Sequence, residues 1–161
     1  MKKNIIKKRT SPIRISARIF CTLLILLYIT SCTENHKKHI IMDNALQFAE
    51  NYFNFEYAKA IEYCTPESVS WIKFSASNLN QNDIKIINSN KNKATCTIKN
   101  VAYENDTTAI VTINVDNFYC TDSIGACGKF IPSAKIRLIS KQQNGDWKIS
   151  LTEVPTEEQY N

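Results

Sequence analysis

The amino-acid sequence predicts an α+β domain, with N-terminal helices packed on one face of an antiparallel sheet of about four strands. Three observations carry this. Between residues 40 and 79 apolar side chains recur in steps of three and four. From Ala94 onward the period changes to two. Asn144-Gly145, flanked by two alternating runs, is a hairpin signal.

The first helix is expected over residues 40–54, where Ile41, Ala45, Phe48, Ala49, Tyr52 and Phe53 share one face. A short second helix follows from Glu56 to Tyr63, with Ala58, Ala60 and Ile61 apolar. Thr65 is placed to cap a third helix, Pro66 suits its first position, and Glu67 favours its positive end. That helix carries Val69, Ile72 and Leu79, with Trp71 and Phe74 alongside. Residues 80–93, rich in Asn and Lys, read as a loop with a short ordered piece at Ile84–Ile87.

Cys96, Ile98 and Val101 open the first strand, and the change of phase between Ile98 and Val101 predicts a bulge. Asn105-Asp106 signals a turn. Ala109, Val111, Ile113 and Val115 form one face of the second strand. A connection around residues 119–131 leads to the third, with Ala134, Ile136 and Leu138 facing one way. The fourth has Trp147, Ile149 and Leu151. One sheet face is therefore apolar, and the helices must cover it.

Ahead of the domain, residues 1–18 are basic and residues 19–29 form an apolar run of 11. As a helix that run would reach about 16 Å, too short for a hydrocarbon core of about 30 Å. A basic segment followed by a short apolar run is the pattern of a secretory signal. Ile29-Thr30-Ser31-Cys32 resembles the bacterial lipobox. The resemblance implies cleavage before Cys32 and lipid attachment to its sulfur. It divides the chain into a signal peptide (1–31), a lipidated N-terminus and polar tether (32–39), and one domain (40–161). Several acyl chains would make the membrane a durable partner, since each buried CH₂ contributes about 0.8 kcal/mol. Position 33 is Thr, not the Asp that marks inner-membrane retention in enterobacteria, so the outer membrane of the cell envelope is expected. The domain would then be periplasmic or surface-facing.

The net charge of +5 belongs to the leader, because seven basic and no acidic residues precede Cys32. After it, 13 basic residues face 15 acidic ones, a net −2. Such a domain has little field with which to collect phosphates, so nucleic acid is not an expected partner. His36 and His39 are the only histidines, on a segment read as flexible, so no metal site is expected.

Cys64, Cys96, Cys120 and Cys127 remain in the domain, and an even number in an oxidising compartment suggests disulfides. Four cysteines allow three pairings. Cys120 and Cys127 flank a six-residue connection and would meet across a hairpin, which leaves Cys64 with Cys96. Buried free thiols are the alternative.

Three pieces occur in order along the chain: the Cys-Thr-Pro-Glu-Ser helix start (64–68), the Asp-Thr-Thr-Ala-Ile-Val strand entry (106–111) and the Asn-Gly-Asp-Trp-Lys-Ile end (144–149). With helices first and a meander after, residues 40–154 resemble the nuclear transport factor two-like superfamily, and in particular its small bacterial lipoproteins. The resemblance implies a curved, cone-like sheet. Members include isomerases, dehydratases, binding proteins and scaffolds, so the fold does not choose a function.

The isomerase-type site needs a carboxylate base in the cone. The alternating apolar face carries none, the domain proper holds no histidine, and there is no Gly-rich phosphate loop. No catalytic residue and no cofactor are therefore expected. Two readings remain, with an isomerase- or dehydratase-like enzyme, which would need a carboxylate buried in the cone, as a minority alternative. One is a binding module for an apolar small molecule or lipid, with Trp71, Phe74, Tyr103 and Trp147 as lining residues; Tyr52, Tyr57 and Tyr63 could also reach such a pocket. The other is an envelope protein-interaction module using Lys135, Arg137 and Lys148 on the polar face.

Overall fold

Strands of alternating Val, Ile, Thr and Ala are stable in water only when one face is covered. The computed structural model, which describes residues 34–121 and 128–155, shows how this is done. Strands β1 (Thr95–Asn105), β2 (Thr108–Cys120), β3 (Lys129–Gln143) and β4 (Asp146–Ser150) form one antiparallel sheet in the order β1-β2-β3-β4. The sheet is open, with β1 and β4 at its edges. The leader, Cys32 and Cys127 lie outside the described residues.

Helix α1 spans residues 34–53. Residues 34–39, read from sequence as a polar tether, are thus helical. Ile41, Ala45, Phe48 and Ala49 are inaccessible to solvent, as are Ala109, Val111, Ile113 and Val115 of β2 and Ile136 and Ile149 of β3 and β4. The two faces made by the two periods form a single core. Lys99 is the extra residue of a β1 bulge: Ile98 pairs with Ile113 and Asn100 with Thr112. The bulge keeps both Ile98 and Val101 opposite inward-facing residues of β2. The β3–β4 hairpin turns at Asn144 and Gly145, with φ of 53° and 91°, the left-handed pair expected of a type I′ turn.

The second helical stretch is α2 (Tyr57–Ala60) followed by a 3₁₀ turn at Ile61–Tyr63. Another 3₁₀ turn, Pro66–Ser68, leads into α3 (Val69–Ser77). Thr65 does not cap it through its side chain. Its hydroxyl lies 2.8 Å from Ser68 Oγ instead. Leu151 N donates to Ser68 Oγ at 2.8 Å, and Ser68 Oγ donates to Ile149 O at 3.3 Å. Thr65 N donates to Ile149 O at 2.8 Å. This buried polar knot ties the helical layer to the end of β4.

Two sequence expectations are corrected. Residues 80–93 are not mainly loop, because Gln81–Ser89 form helix α4. Its start is a capping box: Asn80 Oδ1 accepts from Asn82 N and Asp83 N, and Asp83 Oδ2 accepts from Asn80 N at 2.9 Å. The connection around 119–131 is shorter than expected, since Tyr119 pairs with Phe130 and Cys120 with Lys129.

Ser140, on the inner face of β3, has a buried hydroxyl with no partner among the described residues. An unsatisfied buried hydroxyl is costly. Ser140→Ala is therefore expected to raise the urea midpoint at unchanged slope, by about 1 kcal/mol of stability. A lowered midpoint would show that the hydroxyl is satisfied.

Candidate functional site

Helix α1 ends in a left-handed cap. Phe55 N donates to Tyr52 O at 3.1 Å and Glu56 N to Asn51 O at 2.8 Å. That is the Schellman pattern, whose left-handed position is normally glycine. Here it is Phe55, with φ of 64°. The cap turns the aromatic run Phe53, Phe55, Tyr57 around the end of α1. A second phase change aims at the same place. In β2 both Val115 and Phe118 join the core, three positions apart, with Asn117 between them at φ of 54°. Phe118 thereby meets Phe53 edge to face at 5.1 Å.

These features build a cleft of about 560 Å³ between the end of α1, the end of α3 and the end of β2. Its walls are mainly aromatic: Tyr52, Phe53, Phe55, Tyr57, Phe118 and Tyr119, with Phe74 and Leu79 from the α3 side. Among the described residues no acidic or basic side chain lines it. Tyr52 Oη is paired with Ser75 Oγ at 2.8 Å, and Ser75 Oγ donates to Trp71 O at 3.0 Å. Burial pushes the Tyr52 phenol up to about 12, against the lowering effect of the Ser75 hydrogen bond. Burial raises Tyr57 further still, with the neighbouring Tyr52 adding to it. Both phenols stay protonated, as hydrogen-bonding groups in a wall without formal charge.

Of the four lining residues expected from sequence, the cleft uses Phe74. Trp71 stands behind it, its ring edge to face with Phe74 at 6.3 Å. Trp147 is core, 3 % exposed, and its carbonyl accepts from Asn44 Nδ2 at 2.7 Å. Tyr103 is 43 % exposed on edge strand β1, opposite Ala109. Tyr52 and Tyr57 do reach the cleft, whereas Tyr63 packs against the core instead. Phe55, Phe118 and Tyr119 escaped the sequence reading. The signal was available in Phe-x-Phe-x-Tyr (53–57), a period of two set against the end of a helix, and in the adjacent Phe118-Tyr119 at a strand end, where the alternation breaks. On the polar face, Lys148 Nζ donates to Glu62 O at 2.7 Å.

Tyr119 is anchored from behind. Its hydroxyl donates to Asp83 Oδ1 at 2.7 Å, and Gly128 N reaches the same oxygen at 3.4 Å. Asp83 is inaccessible to solvent. The Asn80 amide and then the Tyr119 hydroxyl hold its carboxyl below the usual range, outweighing the cost of burial. A carboxylate so stabilised is a weak base. Gly128 is needed at this point, because a Cβ there would lie 2.3 Å from the Tyr119 ring.

Cys64 and Cys96, one of the pairings the cysteine count allows, do not meet in this structure. Cys64 bridges to Ile149 beyond β4, whereas Cys96 lies on β1 at the opposite edge. Four inter-strand steps separate them, of the order of 15–20 Å along the sheet, against a Cα limit of about 7 Å for a disulfide. Both are free thiols. Burial raises Cys64, and it pushes Cys96 up to about 12, with Glu50 and Asp116 adding to the effect. Both are therefore protonated and poorly nucleophilic near neutral pH. A Cys120–Cys127 pair involves a residue outside those described.

Among the described residues no group of three or more His, Cys, Asp or Glu could hold a metal ion, and no helix is long and apolar enough to cross a membrane. No protein-family model, curated protein or solved structure matches this chain.

Proposed function

We propose that this chain is an envelope lipoprotein, lipidated at Cys32, whose domain binds an uncharged, largely apolar small molecule or lipid in the aromatic cleft. The carrying observation is the cleft itself: about 560 Å³ lined mainly by aromatic rings, with no charged side chain among the described residues. That volume lies within the roughly 300–1,000 Å³ of small-molecule sites, which are apolar with a few placed polar groups. Tyr57, Ser75 and Thr121 supply such groups here. The order of helices followed by a four-stranded antiparallel meander supports the proposed likeness to the nuclear transport factor two-like superfamily.

Native mass spectrometry of the detergent-purified full chain tests this reading. A reproducible extra mass, lost on activation and absent from Phe55→Gly, is the expected result. Glycine suits the left-handed cap, so relief of about 1–2 kcal/mol of backbone strain offsets lost packing. Phe55→Gly should therefore keep its melting temperature within a few degrees while losing the ligand. A bare mass for the folded wild type, with no uptake of a hydrophobic fluorescent probe, would remove the cleft as a binding site. The search would then turn to protein partners.

A further inference from the structure

On the other side of the wall formed by Phe53, Phe55 and Tyr119 lies a second cavity of about 220 Å³. Its remaining lining is unlike that of the cleft: five asparagines (Asn54, Asn88, Asn90, Asn92, Asn117) and the ring of Phe130, with Ile87, Lys93 and Ala94 completing it. We infer that this crevice is a site for one ring of a neutral saccharide, distinct from the apolar cleft.

The fold already uses some of these amides. Asn54 is structural: its Nδ2 donates to Glu50 O and Ala94 O, and its Oδ1 accepts from Ala94 N at 2.9 Å, clamping the end of α1 to the entry of β1. Asn117 Nδ2 donates to Asn92 O at 2.9 Å and Asn90 Oδ1 accepts from Asn92 N at 3.1 Å, which shapes the rim. The side-chain amides of Asn88 and Asn92 make no hydrogen bond among the described residues. An amide offers two donors and an acceptor without charge. That matches hydroxyl groups, which also both donate and accept.

The rings supply the other half. Phe55, Tyr119 and Phe130 follow one another edge to face, at 6.5 Å and 5.2 Å between centroids. Phe130 is 38 % exposed, so part of its ring is open to a ligand. A pyranose has a polar rim and an apolar C–H face, and this crevice presents both complements.

Backbone strain is a separate observation. Among the described residues three non-glycine residues have positive φ: Phe55, Asn117 and the hairpin residue Asn144. Two of the three line this crevice. For a bulky residue such as Phe55 the conformation is a true outlier, and strain of this kind gathers at ligand sites.

Other ligand classes fit less well. An anion would find one lysine, Lys93, already held 3.7 Å from Glu56. A purely apolar ligand would leave the amides unpaired at a cost. The volume falls below that of drug-sized sites, so a single ring is the unit that enters.

The test is saturation-transfer NMR on the detergent-purified full chain. The probes are neutral disaccharides built from hexoses and N-acetylhexosamines. At least one is expected to receive saturation on its ring C–H protons. The double substitution Asn88→Ala, Asn92→Ala removes two exposed amides unused by the fold. It should weaken that sugar roughly tenfold or more with no change in melting temperature. No saturation of any probe at millimolar concentration overturns the inference, as does a sugar whose binding ignores the double substitution. Displacement of the sugar by a hydrophobic dye that fills the cleft would also overturn it, by placing the sugar there.

Discussion

Asp83→Ala is expected to destabilise the domain by about 3 kcal/mol. The loss combines about 1 kcal/mol for the helix cap with roughly 1.5–3 kcal/mol for a hydrogen bond to a charged group. The groups that lose Asp83 are Asn80 N, the Tyr119 hydroxyl and, more weakly, Gly128 N. Because these join α4 to the ends of β2 and β3, hydrogen exchange should rise first in α4.

Asp83→Asn separates charge from shape. The folded carboxyl is held below its ordinary value, chiefly by the Asn80 amide and then by Tyr119. Its stabilisation is therefore fully present above the unfolded value of about 3.9. It is lost as pH falls through the folded value. Urea midpoints of wild type and Asp83→Asn should differ at pH 7 and converge below about pH 4. A gap that persists at pH 2 would mean that the charge of Asp83 contributes little.

The second large effect is expected at Phe48. Its ring is inaccessible to solvent and stacks on Tyr52 at 5.5 Å and 17°. Phe48→Ala should cost about 3–5 kcal/mol, the transfer term plus the cavity left behind. A fall in melting temperature of roughly 10–20 °C would follow. Tyr52 carries one wall of the cleft and is held by Ser75, so the vacancy sits directly behind the cleft. Phe48→Leu should recover most of the stability. If Phe48→Ala melts within a few degrees of wild type, α1 is not packed on the sheet as described.

Where a stretch obeyed one period, its place in the core was legible in advance. The inward face of β2 and the buried face of α1 followed from residue spacing, and the bulge at Lys99 from a single broken step. Helix α4 was not legible, because Gln-Asn-Asp-Ile-Lys-Ile-Ile-Asn-Ser is mostly polar and its apolar residues are few. Its start depends on the capping box of Asn80 and Asp83, and on the grip of Asp83 on Tyr119. That last bond joins residues 36 positions apart. The separation of Cys64 from Cys96 was not legible for a related reason. Counting cysteines ignores strand order, and the meander put Cys64 and Cys96 at opposite edges.

The cleft was still less readable. Its aromatic walls come from positions where periodicity breaks, at the left-handed cap of α1 and the phase change at Asn117. By itself, the sequence determined the α+β class, the four strands and the face that each buries. Those depend on local periods and turn chemistry, which spacing reports directly. Only the tertiary structure decided which aromatics face a cavity, which amides are left unused and which carboxylate is sealed behind a tyrosine. Each of those depends on backbone turns and long-range hydrogen bonds that bring distant residues together, and no spacing along the chain encodes them.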